Sequence, residues 1–91
     1  MVITYDDAKR AWTLEHRGLD FEHADQVFND VNLTVEDDRE DYGEVRYQTM
    51  GRLRRSVVMV VWTPRDGAHR IISMRKCNVE EREFYYAETG G

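Results

Sequence analysis

Ninety-one residues with one cysteine and one proline bound a single domain, residues 1–91, with no internal disulfide framework. No stretch approaches the ~20 apolar residues of a membrane span, and the start lacks a signal-peptide pattern, so a cytoplasmic protein away from membranes is expected. The net charge of −5 argues against a general nucleic-acid binder, but it is unevenly placed: residues 1–45 carry 13 acidic and 4 basic side chains, residues 46–91 carry 5 and 9. That asymmetry predicts an electropositive face on the second half.

In chain order, Val2-Ile3-Thr4-Tyr5 predicts a short edge strand. Asp6 or Asp7 can cap a helix to about His16, with Ala8, Ala11 and Trp12 on one face and Gly18 at its C-terminal cap. Asp20 caps a second short helix carrying Phe21, Ala24 and Phe28. Leu33 and Val35 alternate with polar neighbours and predict a strand, whereas Glu36 to Asp41 is charged enough to predict an exposed loop. Glu44 to Met50 alternates again, with Val45, Tyr47 and Thr49 on one face and Glu44, Arg46, Gln48 and Met50 on the other. Gly51 to Arg55 reads as a basic turn.

Val57 to Trp62 is an unbroken β-branched and aromatic run, too short for a helix and suited to a strand buried on both faces. Proline cannot donate to a sheet ladder, so the strand is expected to end at Thr63-Pro64. Pro64-Arg65-Asp66-Gly67 is turn chemistry, and Ile71 to Met74 returns as a second strand. Ser73 and Arg75 share one face of that strand by simple alternation, with Arg70 on the other. Asn78, with Glu81 three residues on, predicts a capped last helix ending near Glu88. The order β-α-α-β-β-β-β-α with meander connections predicts an α+β domain: an antiparallel sheet of four to five strands, two N-terminal helices and one C-terminal helix.

Several pieces then occur together in a familiar order: Arg17-Gly18-Leu19-Asp20-Phe21, Tyr42-Gly43-Glu44-Val45-Arg46, Gly51-Arg52-Leu53 and Arg70-Ile71-Ile72-Ser73-Met74-Arg75-Lys76, ahead of Asn78 and Glu81. The chain resembles the BrnT family of type II toxin–antitoxin toxins over nearly its whole length. The resemblance implies a RelE-like fold and a ribonuclease that arrests growth by cleaving RNA. It also implies a BrnA-type antitoxin partner, through which alone operator DNA is contacted. Members typically carry alanine where this chain has Cys77.

RNA can be cut without a metal when a base takes the proton of the attacking 2′-hydroxyl, an acid protonates the leaving oxygen and cations stabilise the phosphorane. One cysteine and three scattered histidines offer no zinc spacing, so neither metal nor cofactor is expected. Arg65, at the hairpin tip, and Arg75 are the expected phosphate contacts, since a guanidinium presents two parallel donors. Glu44 is a candidate base if its pKa is raised, with Arg46 on the same face; an ion pair with an arginine on a neighbouring strand is the alternative. Arg70, Ser73, Lys76 and Tyr85 complete the expected substrate contacts, Tyr85 by stacking on a base unless it packs inward. His69 is a further possible acid, and Arg54 is placed outside the site. The competing reading is a non-catalytic module that only docks a partner protein.

Overall fold

A computed structural model describes all 91 residues. The elements are β1 (Ile3–Tyr5), α1 (Asp7–Arg17), a 3-10 turn (Phe21–His23) leading into α2 (Ala24–Phe28), β2 (Asn32–Glu36), β3 (Tyr47–Leu53), β4 (Ser56–Arg65), β5 (Ala68–Lys76) and α3 (Val79–Thr89). Asp6 caps α1, accepting from the Lys9 N–H at 3.0 Å, and Gly18 closes it in the left-handed conformation, φ 68°. The second expected helix thus splits into the 3-10 turn capped by Asp20 and a five-residue α2.

The five strands lie in the order β1-β5-β4-β3-β2. β2 to β5 pair antiparallel, but β1 runs parallel to β5, so the sheet is mixed rather than antiparallel. The reason is topological: α1 and α2 return the chain across one face before β2 begins, which frees β1 to run alongside β5.

Each face of the sheet has its own core. α2 and the segment joining it to α1 pack Leu19, Phe21, Ala24 and Val27 against Val58, Val60, Ile71 and Met74, whereas α1 buries only Thr13 and leaves Ala8, Ala11 and Trp12 exposed. On the opposite face α3 contributes Tyr85, which joins Val57, Met59 and Cys77. Val57 to Val61 of the apolar run are therefore buried from both sides, as the lack of polar alternation predicts, and Trp62 is half-buried.

Several boundaries differ from expectation, and β3 runs on through Leu53, so the basic turn is Arg54-Arg55 alone. β3 begins at Tyr47, so Glu44 and Arg46 lie in the loop ahead of it. β4 runs through Pro64 to Arg65. The His69 N–H donates to the Val2 carbonyl at 2.9 Å, so His69 turns its backbone groups toward β1 and away from its β4 partner Pro64. The missing N–H of Pro64 therefore faces the β3 side, where the ladder has already stopped at the Tyr47–Trp62 pair. The charged stretch after β2 is not wholly exposed either: Asp37 is buried, because Arg39 grips it through Nε at 2.7 Å and Nη2 at 2.8 Å.

Candidate active site

Between Val61 and Trp62 the β4–β5 ladder slips by one residue. Val61 pairs with Ser73 and Trp62 with Ile71, which leaves Ile72 as an extra residue on β5. A bulge of this kind reverses the side-chain alternation beyond it. Arg70 pairs with Thr63, Ser73 with Val61 and Arg75 with Met59, and these three β4 residues alternate onto one face. Arg70 therefore shares a face with Ser73 and Arg75, contrary to the simple alternation of the sequence. On β1 its partner is Thr4, between Ile3 and Tyr5, which pack into the opposite core.

The loop from Asp37 to Arg46 delivers further cations to this face. Asp37 also accepts from the Tyr42 hydroxyl at 3.3 Å, and Arg46 lies over the Tyr42 ring, 4.1 Å from its centroid. Glu44 then accepts from Arg46 Nε at 3.0 Å and from Arg65 Nη2 at 2.8 Å, bridging the loop to the hairpin tip. With its amide oxygen turned to Arg39, Gln48 accepts from Nε and Nη2 at 3.2 Å. Farther along, Arg75 donates to both oxygens of Glu81 at 2.8 and 2.9 Å.

The electrostatics follow from these contacts. The Arg46 and Arg65 guanidiniums lower the Glu44 pKa. Glu44 is thus an ionised acceptor that orients two guanidiniums, and the raised pKa that a general base needs is absent. Arg75 and a backbone hydrogen bond from Asn78 bring Glu81 down to about 2, against the opposing effect of burial. Asp37 is held at about 2, chiefly by its Arg39 hydrogen bond. Arg70 differs from its neighbours: no carboxylate lies within 4.0 Å of it.

Two expected substrate contacts are placed elsewhere. Tyr85 is 1% exposed and its hydroxyl donates to the Val31 carbonyl at 2.6 Å, so its ring offers no free surface for a base. Lys76 pairs with Val58 and points to the face opposite Arg75. His69 is half-buried and stacked on Trp62, 4.1 Å between centroids, and burial lowers its pKa. It too lies on the far face, as the partner of Pro64. Sequence reasoning missed Arg39 in this site because its position depends on a loop folding back. The bulge left a trace in Ile71-Ile72, two consecutive apolar residues that break a period of two. No three histidine, cysteine or acidic side chains converge as a metal-ligand group.

Five arginines, at positions 39, 46, 65, 70 and 75, thus border the part of the sheet face that α3 leaves uncovered. The fold is a small α+β domain with a cluster of guanidinium groups on one sheet face. The sequence comparison is more specific: the chain matches the family described as "Ribonuclease toxin, BrnT, of type II toxin-antitoxin system" over residues 5–81, and it belongs to that family. No curated protein matches the chain closely enough to narrow the assignment further. No helix is long and apolar enough to cross a membrane.

Proposed function

We propose that the chain is a metal-independent endoribonuclease toxin on a RelE-like scaffold, acting in the cytoplasm and neutralised by a DNA-binding antitoxin of the BrnA type. The observation that carries this reading is the bulge at Ile72, which puts the unpaired Arg70 on the face of Ser73 and Arg75. On this reading the scissile phosphate sits over that face. Arg70 and Arg75 donate to its non-bridging oxygens, where charge builds as the 2′-oxygen bonds to phosphorus and the bond to the 5′-oxygen breaks; water takes the 2′-hydroxyl proton and gives one to the leaving 5′-oxygen, and Ser73 hydrogen-bonds beside them. Glu44 holds Arg65 and Arg46 in position at the far end, so that they contact the flanking phosphate. Preorganised donors of this kind act mainly by electrostatic stabilisation of the transition state.

Purified protein incubated with RNA in EDTA tests the chemistry. The expected result is cleavage leaving 2′,3′-cyclic phosphate ends, the product of 2′-hydroxyl attack. Cleavage that needs added Mg²⁺ would overturn the metal-free route. In cells, expression should arrest growth, and co-expression of the small DNA-binding protein encoded beside it should restore growth.

One observation favours a second reading, a partner-binding module without catalysis. Arg46, Arg65 and Arg75 already have carboxylate partners, and the Glu44 and Glu81 carboxyls that hold them are shifted away from neutrality. Intact RNA and normal growth at confirmed soluble expression would select that reading.

A further inference from the structure

Cations without carboxylate partners gather at another place. At the far end of the sheet, the turn between β3 and β4 and the end of β5 enclose a cleft of about 360 Å³ on the α1 side. Leu19 and Leu53 form its apolar floor, and Arg54, Arg55 and Lys76 line it. None of these three cations has a carboxylate within 4.0 Å. The one acid in the cleft, Asp20, is neutralised by Arg10, which reaches it through Nε at 2.8 Å and Nη2 at 3.1 Å.

Arg54 adds an independent observation. Leu53 pairs with Ser56, so Arg54 and Arg55 form a two-residue hairpin turn, and Arg54 sits at φ 58°. Hairpin turns normally place glycine, asparagine or aspartate at such positions, because a side chain there crowds the backbone. Strain at an exposed turn, carried by a long cationic side chain, points to a role for that side chain.

We propose that this cleft binds the phosphodiester backbone of RNA beyond the scissile position, a subsite that rests on the ribonuclease reading. The sequence of β5 supplies the continuity. Arg75 and Lys76 are neighbours that project to opposite faces, so cationic groups run from Arg75 around the end of the sheet to Lys76 and on to Arg54 and Arg55. A polymer with a regularly charged backbone matches such a path. The cleft's contribution is affinity without sequence preference.

The test is binding of a fluorescent 2′-O-methyl oligoribonucleotide, which lacks the attacking hydroxyl, between about 50 and 200 mM salt. Each phosphate contact removed from a single strand should lower the slope of log K against log salt by about 0.7. Arg54→Gly should show that decrease while its melting temperature is unchanged or higher, because glycine adopts φ 58° without crowding. Adding Arg55→Ala and Lys76→Ala should bring the total decrease to about 2. Lys9→Ala, a surface cation on α1, should leave the slope alone. Parent binding with unchanged slopes in all cleft variants would overturn the subsite and leave the ribonuclease reading intact. So would cleft variants that keep RNA affinity but lose the neutralising protein, which would make the cleft a protein-docking surface. If the parent bound RNA with the predicted slope changes yet failed to cut unmodified RNA, the cleft would stand as an RNA-backbone site, and the ribonuclease reading, with its scissile position, would fall.

Discussion

Arg75 and Glu81 are joined through both terminal guanidinium nitrogens and both carboxylate oxygens, and the same Glu81 closes the capping box of α3. Glu81 Oε1 accepts from the Asn78 N–H at 2.9 Å, and the Glu81 N–H donates back to Asn78 at 2.8 Å. One carboxylate thus fixes the start of a helix to the strand that carries a candidate phosphate contact. The geometry makes the orientation of Arg75 depend on whether α3 is docked.

This arrangement predicts a dependence of stability on acid. Folding brings Glu81 from its ordinary 4.5 down to about 2, and Asp20 and Asp37 from 3.8 to about 2. A carboxylate whose pKa falls on folding stabilises the folded state fully above its unfolded pKa and loses that contribution as pH falls toward the folded one. Stability should therefore be level above about pH 5 and decline between about pH 4.5 and 2. Glu81→Gln keeps the capping acceptor but removes the charge, so chemical denaturation should show a shallower decline. Glu81→Ala loses the cap as well and should cost about 1 kcal/mol at neutral pH. An unchanged acid profile in Glu81→Gln would mean the ion pair is already screened by solvent.

The arginines separate catalysis from scaffold. Arg70→Ala should lower RNA cleavage by roughly 10²–10³. It should change stability by no more than about 0.5 kcal/mol, since Arg70 has no ion-pair partner to leave behind. Arg65→Ala and Arg75→Ala should also lose cleavage, the latter with a loss of up to about 1 kcal/mol because Glu81 is left unpaired. Arg65→Lys should recover only part, as a point charge does not reproduce a two-donor fork. Cleavage assays on folded protein decide this; parent-rate cleavage by Arg70→Ala would move the chemistry off this face.

Sequence reading was strongest where local rules act alone. Asp6, Asp20 and Asn78 cap their segments, Gly18 ends α1, and Val57 to Val61 are buried on both faces. It was weakest where a long-range contact overrides a local rule. Pro64 continues a strand because β3 has already ended beside it, and Asp37 is buried in a charged stretch because Arg39 and Tyr42 converge on it. Arg70 was assigned to the wrong face because a single extra residue reverses alternation, and no propensity scale signals where a ladder will slip. The free cations of the β3–β4 turn were legible as basic residues. Their meeting with Lys76 depends on a register that only the fold supplies.

Gly51 tests the packing of α2 on the sheet. A Cβ built there would lie 2.7 Å from Val27 Cγ1 and 3.2 Å from the Val27 carbonyl oxygen. The backbone approach, not an unusual φ, therefore requires glycine. Gly51→Ala should push α2 outward and destabilise the fold by about 1–3 kcal/mol. Val27→Ala removes the nearest clashing atom at the expense of buried apolar surface. In a double-mutant cycle, the pair should be less destabilising than the sum of its parts. Additive losses, measured by denaturant unfolding, would place the strain elsewhere.

Tyr85 distinguishes a packing residue from a stacking one. Its ring lies in the core beneath α3 with Val57, Met59 and Cys77, and its hydroxyl reaches across to the Val31 carbonyl. Tyr85→Phe retains the ring and removes that single hydrogen bond, so it should cost about 0.5–1.5 kcal/mol and leave RNA cleavage unchanged. Tyr85→Ala opens a cavity and should cost about 3–5 kcal/mol, the range for deleting a large buried aromatic ring. Cys77 supplies an independent gauge of that core. Burial, reinforced by Glu81, pushes its thiol up to about 11, so almost none is thiolate at neutral pH. Alkylation of the native protein should therefore be slow, and should quicken in Tyr85→Ala as the core opens, while Tyr85→Phe stays close to the parent. Cleavage lost in Tyr85→Phe, with Cys77 as protected as in the parent, would assign the Tyr85 hydroxyl a part in the chemistry.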